Sequence, residues 1–294
     1  MASSVGSRIC KAAIARGWDV TSISRSGEPQ WASVSSSPNA PPWSKSVSWQ
    51  RADILKPSSY KSFLEDADAV VHSMGILLEA DYKGVISGKE PIYKGLQRAF
   101  SSTKAGTQNP LERKGDEDLE PKESDGQLTY EVMNRDSGKQ PQTLQLNMHL
   151  TSTAITLAQE AAAHNASSFV YISATAGTPI LPARYITTKR DAESAIATNF
   201  PRMRNIFIRP SFLYDSSRTF TIPIAAGGFV ASMINSMTGN RLTWLMGAGG
   251  IKPVKADAVG EAVVEALSDD AIKGIVDVPD IEALATKAWR KGML

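Results

Sequence analysis

The sequence predicts an α/β fold: a doubly wound parallel sheet, covered by helices on both faces and lacking its first strand. Three observations carry this. Segments of strand and helix character alternate along the chain. Strand segments such as "DAVVHSMGIL" and "FVYIS" are largely apolar, as strands covered on both faces must be. The chain also opens "MASSVGSRICKAAIARGWDVTSISRSG", a helix and then an alternating strand, with no strand before them. That is the second half of a dinucleotide-binding βαβ unit.

Taken in order, residues 7–16 carry Ile9, Cys10, Ala13 and Ile14 on one helical face, and Gly17 stops the helix. "DVTSIS" alternates as a strand and ends before Arg25. A Ser/Pro/Trp-rich loop runs to about residue 46. "VSWQRADI" is a short strand leading to Asp53, and "PSSYKSFLEDA" is predicted as a helix opened by Pro57. "DAVVHSMGIL" follows as a buried strand with Gly75 near its end. Residues 101–153 break the pattern, polar and charged with few apolar anchors, and are predicted as a surface insertion. "AITLAQEAAAHN" is a helix feeding the strand "FVYIS", and "NIFIRPSFLYD" is a further strand. Residues 1–215 are therefore predicted as the nucleotide-binding domain. Residues 216–294, rich in glycine and methionine and closing with two helical segments, are predicted as a small C-terminal lobe.

Composition narrows the function classes. The 294 residues, 42% hydrophobic, suffice for a full core. A net charge of +2 with no long basic run argues against nucleic acid. One cysteine, Cys10, leaves no disulfide framework or cysteine metal cluster, and His72, His149 and His164 lack metal-ligand spacing, so no metal site is expected. No stretch reaches the roughly 20 apolar residues of a bilayer span. No presequence or signal peptide is visible.

The chemistry-bearing residues cluster in two places. Tyr185 and Lys189 form a Tyr-x-x-x-Lys pair at the start of a helix, and residues four apart share a helix face. A cation near the phenol favours phenolate, so Tyr185 could give a proton to, or take one from, a carbonyl undergoing hydride transfer. Lys189 could also hold a ribose hydroxyl. Ser173, twelve positions earlier at the end of "FVYIS", could polarise the same carbonyl. The alternative is a surface pair on an ordinary helix. Arg25 stands where an acid would select NAD, and an arginine there suits a ribose 2′-phosphate, favouring NADP. Ser24 and Ser26 could add hydrogen bonds, Asp53 is placed to contact the adenine, and Gly75 permits close backbone approach.

"GSRICKAAIARGW", "VVHSMGILLE", "YISATAG", "RYITTKRDAE" and "IRPSFLYD", in this order, resemble the atypical extended short-chain dehydrogenase/reductases. The nearest resemblance is to their fungal mitochondrial members tied to coenzyme Q biosynthesis. A more distant one is to the Rossmann-type accessory subunit of respiratory complex I. The resemblance runs from Gly6 to the C-terminus apart from the insertion. It implies a Rossmann fold of the short-chain dehydrogenase type, a mitochondrial matrix location at the inner membrane, and association with the coenzyme Q biosynthetic complex. The family's Gly-Gly-x-Gly-Phe-Leu-Gly loop is represented here by Gly6 alone, and residues 138–153 interrupt a segment that is continuous in the family. These departures point to a misplaced start codon and an unspliced intron, or to an isoform that no longer holds a dinucleotide.

Three functions compete on this reading. One is an NADP-dependent reductase (NAD being the other nicotinamide candidate) acting on a hydrophobic carbonyl or quinone precursor. The second is a catalytically silent Rossmann scaffold that stabilises a biosynthetic or respiratory assembly. The third is a sugar-nucleotide epimerase or dehydratase, disfavoured because "IAAGGFVASMINSM" and "WLMGAGG" offer few polar groups for a sugar phosphate. The same apolar segment, including Phe229, Val230 and Met233, is expected to line a pocket or exposed patch for a prenylated ring, or else to form the lobe's own core.

Overall fold

The computed structural model describes residues 4–35, 37–74, 153–175, 183–215 and 251–293, together with residues 226, 229, 230 and 233. Helix α1 (Ser4–Ala15) buries Val5, Ile9, Cys10, Ala12 and Ala13. It starts three residues before its predicted beginning, so Gly6 lies inside its first turn. Gly17, at φ +74°, turns the chain out of the helix, with its N–H donating to Ile14 O at 2.9 Å.

Strand β1 (Val20–Ser24) pairs in parallel with β2 (Val47–Arg51), with Val20 opposite Val47 and Ser24 opposite Arg51. Between them the expected loop contains a short helix α2 (Trp31–Val34) and a 3-10 turn (Pro42–Ser46). The rings of Trp43 and Trp49 meet Trp31 edge-on at 5.4 and 5.9 Å, which fixes this loop. The predicted helix after β2 is instead two 3-10 turns, Pro57–Ser59 and Lys61–Leu64. The Ser59 hydroxyl donates toward Asp53 O and Lys56 O and accepts from Asp53 N–H. Such local side-chain bonding competes with a continuing helix. Tyr60 and Leu64 are nevertheless buried.

Strands β3 (Ala69–His72), β4 (Ser168–Ile172), β5 (Arg204–Ile208) and β8 (Gly274–Val276) form a parallel sheet in the order β3-β4-β5-β8. All five residues of β4 are buried, matching its uninterrupted apolar sequence. Helix α3 (Thr153–Ala163) leads into β4, and α4 (Ala183–Asn199) connects β4 to β5. A two-residue pair, β6 (Leu213–Tyr214) with β7 (Val254–Lys255), precedes helix α5 (Ala256–Leu267). Beyond the predicted boundary at residue 215, β8 enters the same sheet as β5, and α5 packs on α1. The last helix, α6 (Val278–Lys291), opens with a capping box between Asp277 and Asp280. Of the insertion at residues 101–153, only Thr153 is described, as the first residue of α3.

Among the described residues no ladder joins β1 to β3, although the two strand groups share one interior. Val5 and Ile9 of α1 pack with Val170, Ile172, Ile206 and Ile208, while Ile23 and Ile54 pack against the cluster of Val70, Phe169 and Tyr171. This matches the expectation of a doubly wound sheet without its first strand.

The contact between α1 and α5 depends on Gly260. A Cβ there would come within 2.7 Å of the Arg8 main-chain carbon and oxygen. Arg8 is held besides by Asp215, at 2.8 Å, and by Asp257, at 3.5 Å. Gly260→Ala should therefore push the helices apart and cost about 1–3 kcal/mol. Urea unfolding that shows no loss for this variant would contradict the close approach.

Candidate functional site

The carboxyl ends of parallel strands are where open α/β sheets place ligands. Here the end of β4 brings together two of the three predicted catalytic residues. Lys189 of α4 is 3% exposed, and its Nζ donates to Ile172 O at 3.0 Å. Ser173, the next residue after β4, is also buried, and its Oγ accepts from Arg190 Nη1 at 3.2 Å. Tyr185 belongs to the first turn of α4, but its side chain lies outside the described residues.

A polar network not anticipated from the sequence surrounds this pair. Arg190 Nη2 donates to Ala174 O at 2.7 Å and Thr175 O at 2.8 Å, tying α4 to the segment after β4. The Glu193 carboxylate accepts from Arg190 Nη1 at 2.7 Å and from Arg209 Nε at 3.1 Å, and also pairs with Arg209 Nη2. The signal for it was available: Arg190 and Glu193 are one helical turn apart, and Arg209 directly follows β5.

Beneath Lys189 the environment turns apolar. Its Nζ lies 5.0 Å from the centre of the Tyr171 ring, and Tyr171 is 5.5 Å from the ring of His72. Burial pulls the Lys189 pKa down to about 7. The Glu193 charge opposes the shift and the Arg190 charge assists it. His72 is pushed down to about 3, first by burial and then by the Lys189 charge. Its Nε2 lies 3.5 Å from Thr153 Oγ1, while its buried Nδ1 has no hydrogen-bond partner among the described residues. His72 is thus a neutral interior histidine at the end of β3.

Of the predicted cofactor residues, Arg25 and Asp53 lie at the other strand pair. Arg25 is exposed in the turn after β1 and forms no ion pair among the described residues. Ser24 Oγ donates to Gly27 O at 2.9 Å and lies 3.3 Å from Ser26 Oγ. Asp53 follows β2, and its Oδ1 accepts from Leu55 N–H at 3.2 Å, so it caps a turn. Gly6 is helical, and Gly75 lies outside the described residues. The Arg25 guanidinium, exposed and without an ion pair among the described residues, could meet an anionic group of a dinucleotide. Lys189 and Ser173 fit the nicotinamide end in position but are committed to the protein's own groups.

Phe229, Val230 and Met233 are 49%, 57% and 57% exposed, and their apolar neighbours in residues 222–237 lie outside the described residues. No described helix is long and apolar enough to cross a membrane.

A parallel sheet covered by helices defines an α/β protein of the Rossmann type. No family model matches the chain. It is 34% identical over 286 residues to MIOREX complex component 2 of Saccharomyces cerevisiae, covering 94% of each protein, and it belongs to that protein's family. That relative's name places it in the MIOREX complex and makes no mention of coenzyme Q. Among solved structures, the UDP-N-acetylglucosamine 4-epimerase of Methanobrevibacter ruminantium M1 is 12% identical, with a TM-score of 0.47 over 93% of this chain and 72% of that one. The UDP-glucuronic acid 4-epimerase of Bacillus cereus, in complex with NAD, is 15% identical, with a TM-score of 0.45 over 93% of this chain and 74% of that one.

Proposed function

We propose that this chain is an NADP-binding, short-chain-dehydrogenase-like protein of mitochondria that works within an assembly on the matrix side of the inner membrane. The observation that carries the dinucleotide reading is Arg25, exposed and unpaired at the end of β1, in a sheet whose β4 ends at Ser173 and Lys189. A guanidinium there pairs with a 2′-phosphate, where an acid would bind a free ribose hydroxyl. The nicotinamide group, when bound, supplies a hydride. Tyr185 then holds and delivers a proton at its phenolic oxygen, and Lys189 and Ser173 orient the carbonyl side of the site. The substrate in this reading is a hydrophobic carbonyl or quinone precursor, its prenyl tail resting on the exposed Phe229, Val230 and Met233. The association with coenzyme Q biosynthesis rests on the five matching sequence segments. Membership of an assembly is supported by the name of the curated relative.

A second reading, a scaffold without catalysis, is favoured by one observation. Lys189 and Ser173 are buried and satisfied by Ile172 O and Arg190, as structural residues would be. Titration with NADPH and NADH tests the dinucleotide reading at the binding step, which a scaffold that holds a nucleotide would also pass. The expected result is a preference for NADPH of tenfold or more, about 1.4 kcal/mol, that Arg25→Ala abolishes. Equal affinities in the unmodified protein would remove Arg25 from the site. Normal quinone levels in cells carrying Tyr185→Phe would establish the scaffold.

A further inference from the structure

We propose that Arg51 is a second phosphate-reading guanidinium, which forms with Arg25 a two-arginine clamp for the phosphomonoester on a nucleotide ribose. The proposal rests on the dinucleotide reading above and adds a residue that the sequence did not single out.

Ser24 and Arg51 are partners at the ends of β1 and β2, so the turn that carries Arg25 and the end of β2 are adjacent. That turn is closed by Gly27 N–H donating to Ser24 O at 3.3 Å, with Ser24 O accepting also from Ala52 N–H at 3.1 Å. The Arg51 stem lies directly over the turn: a Cβ at Gly27 would be 2.8 Å from Arg51 Cγ and 3.5 Å from Cδ. Gly27 also has φ +73°, a conformation that side chains resist. The absent Cβ is what lets Arg51 cross the turn that bears Arg25.

Both arginines are exposed, and neither forms an ion pair among the described residues. Glu28 Oε1 accepts from Trp31 Nε1 at 2.9 Å and Asp53 Oδ1 accepts from Leu55 N–H at 3.2 Å, and among the described residues neither carboxylate forms an ion pair with either arginine. Two unneutralised guanidiniums on one short rim repel each other, and a dianion between them removes that repulsion. Arginine's planar fork suits phosphate oxygens, and the hydroxyls of Ser24 and Ser26, 3.3 Å apart, lie on the same turn. The edge-on contacts of Trp43 and Trp49 with Trp31 fix the loop that follows this turn. A clamp beside a prearranged loop loses little freedom on binding.

Calorimetric titration of the full chain with adenosine 2′,5′-bisphosphate and with adenosine 5′-monophosphate tests this. The unmodified protein should bind the bisphosphate at least tenfold more tightly. Arg25→Ala and Arg51→Ala should each remove most of that preference, and Arg51→Lys should restore part of it. Gly27→Ala, which displaces Arg51 without altering charge, should act like Arg51→Ala. If Arg51→Ala keeps the full preference while Arg25→Ala loses it, the clamp is overturned and the dinucleotide reading stands. If the unmodified protein binds neither nucleotide, both are overturned.

Discussion

Replacing Glu265 with alanine lowers the stability of the fold by about 3–5 kcal/mol, the cost of breaking a buried charge cluster. Glu265 sits in α5 and is fully buried. Its carboxylate accepts from Arg16 Nη2, beyond the end of α1, at 2.8 Å. From α6 it accepts from Lys291 Nζ at 2.6 Å and has Lys287 Nζ at 3.3 Å. Burial alone would raise its pKa, but the bonds from Lys291, Arg16 and Lys287 outweigh this and hold it down at about 2. Alanine leaves three cations, Arg16 beyond the end of α1 and Lys287 and Lys291 of α6, without their shared anion. The two lysines, about half exposed, can turn to water, but Arg16 at 23% exposure is less free to do so. Urea unfolding of Glu265→Ala near neutral pH measures the loss, and a change under about 1 kcal/mol would show that the cluster is not holding the helices together. Because the folded pKa lies below the unfolded one, this contribution is complete above about pH 4.5. It fades as the pH falls toward 2.

Much of this architecture was legible from residue pattern, and the exceptions have physical causes. The apolar run of β4 and the Ile9 face of α1 could belong to nothing but interior elements, and both are interior. The segment at residues 57–64 reads as a helix in sequence and is two 3-10 turns that bury Tyr60 and Leu64. Its helix was lost to a serine hydroxyl bonding the backbone, which periodicity does not register. The site was half legible. Tyr-x-x-x-Lys spacing located α4 and the end of β4, because a helical repeat fixes which residues share a face. The arginines escaped notice because their roles depend on pairing between distant segments. Arg8 reaches Asp215, Arg209 reaches Glu193, and Arg51 lies over Gly27 only because β1 and β2 stand in register. The Glu265 cluster joins residues 16, 265, 287 and 291, and no local window contains it.

The stability of the protein should rise with pH from about 7 to 9, and Lys189 should be the cause. In the unfolded chain this lysine titrates at its ordinary value of 10.5, while in the fold burial holds it down to about 7. Between those values the unfolded state binds more protons than the folded one, so raising the pH favours folding. Below about 7 both states are protonated, and the cost of burying the ammonium is carried in full. The slope for one such group approaches about 1.4 kcal/mol per pH unit. Above pH 9 the trend is opposed, because burial also raises Cys10 to about 11 and Tyr60 to about 12, so these groups ionise more readily in the unfolded chain. Below about 6.5 His72 adds a further loss, since its folded pKa near 3 leaves it neutral while the unfolded chain takes up a proton. Between about 7 and 8 Lys189 dominates the slope, and Cys10, ordinarily at 9.0 in the unfolded chain, begins to offset it toward pH 9. Lys189→Met keeps the stem beside Tyr171 but removes the ammonium and its bond to Ile172 O. Its absolute stability depends on how the freed carbonyl is satisfied, but its slope does not. Chemical unfolding at pH 7, 8 and 9 should show a rise in the native chain and, between 7 and 8, a nearly flat line in the variant. Equal slopes would mean that the ammonium reaches water, and with it an anionic ligand, without the opening that its burial at the end of β4 requires.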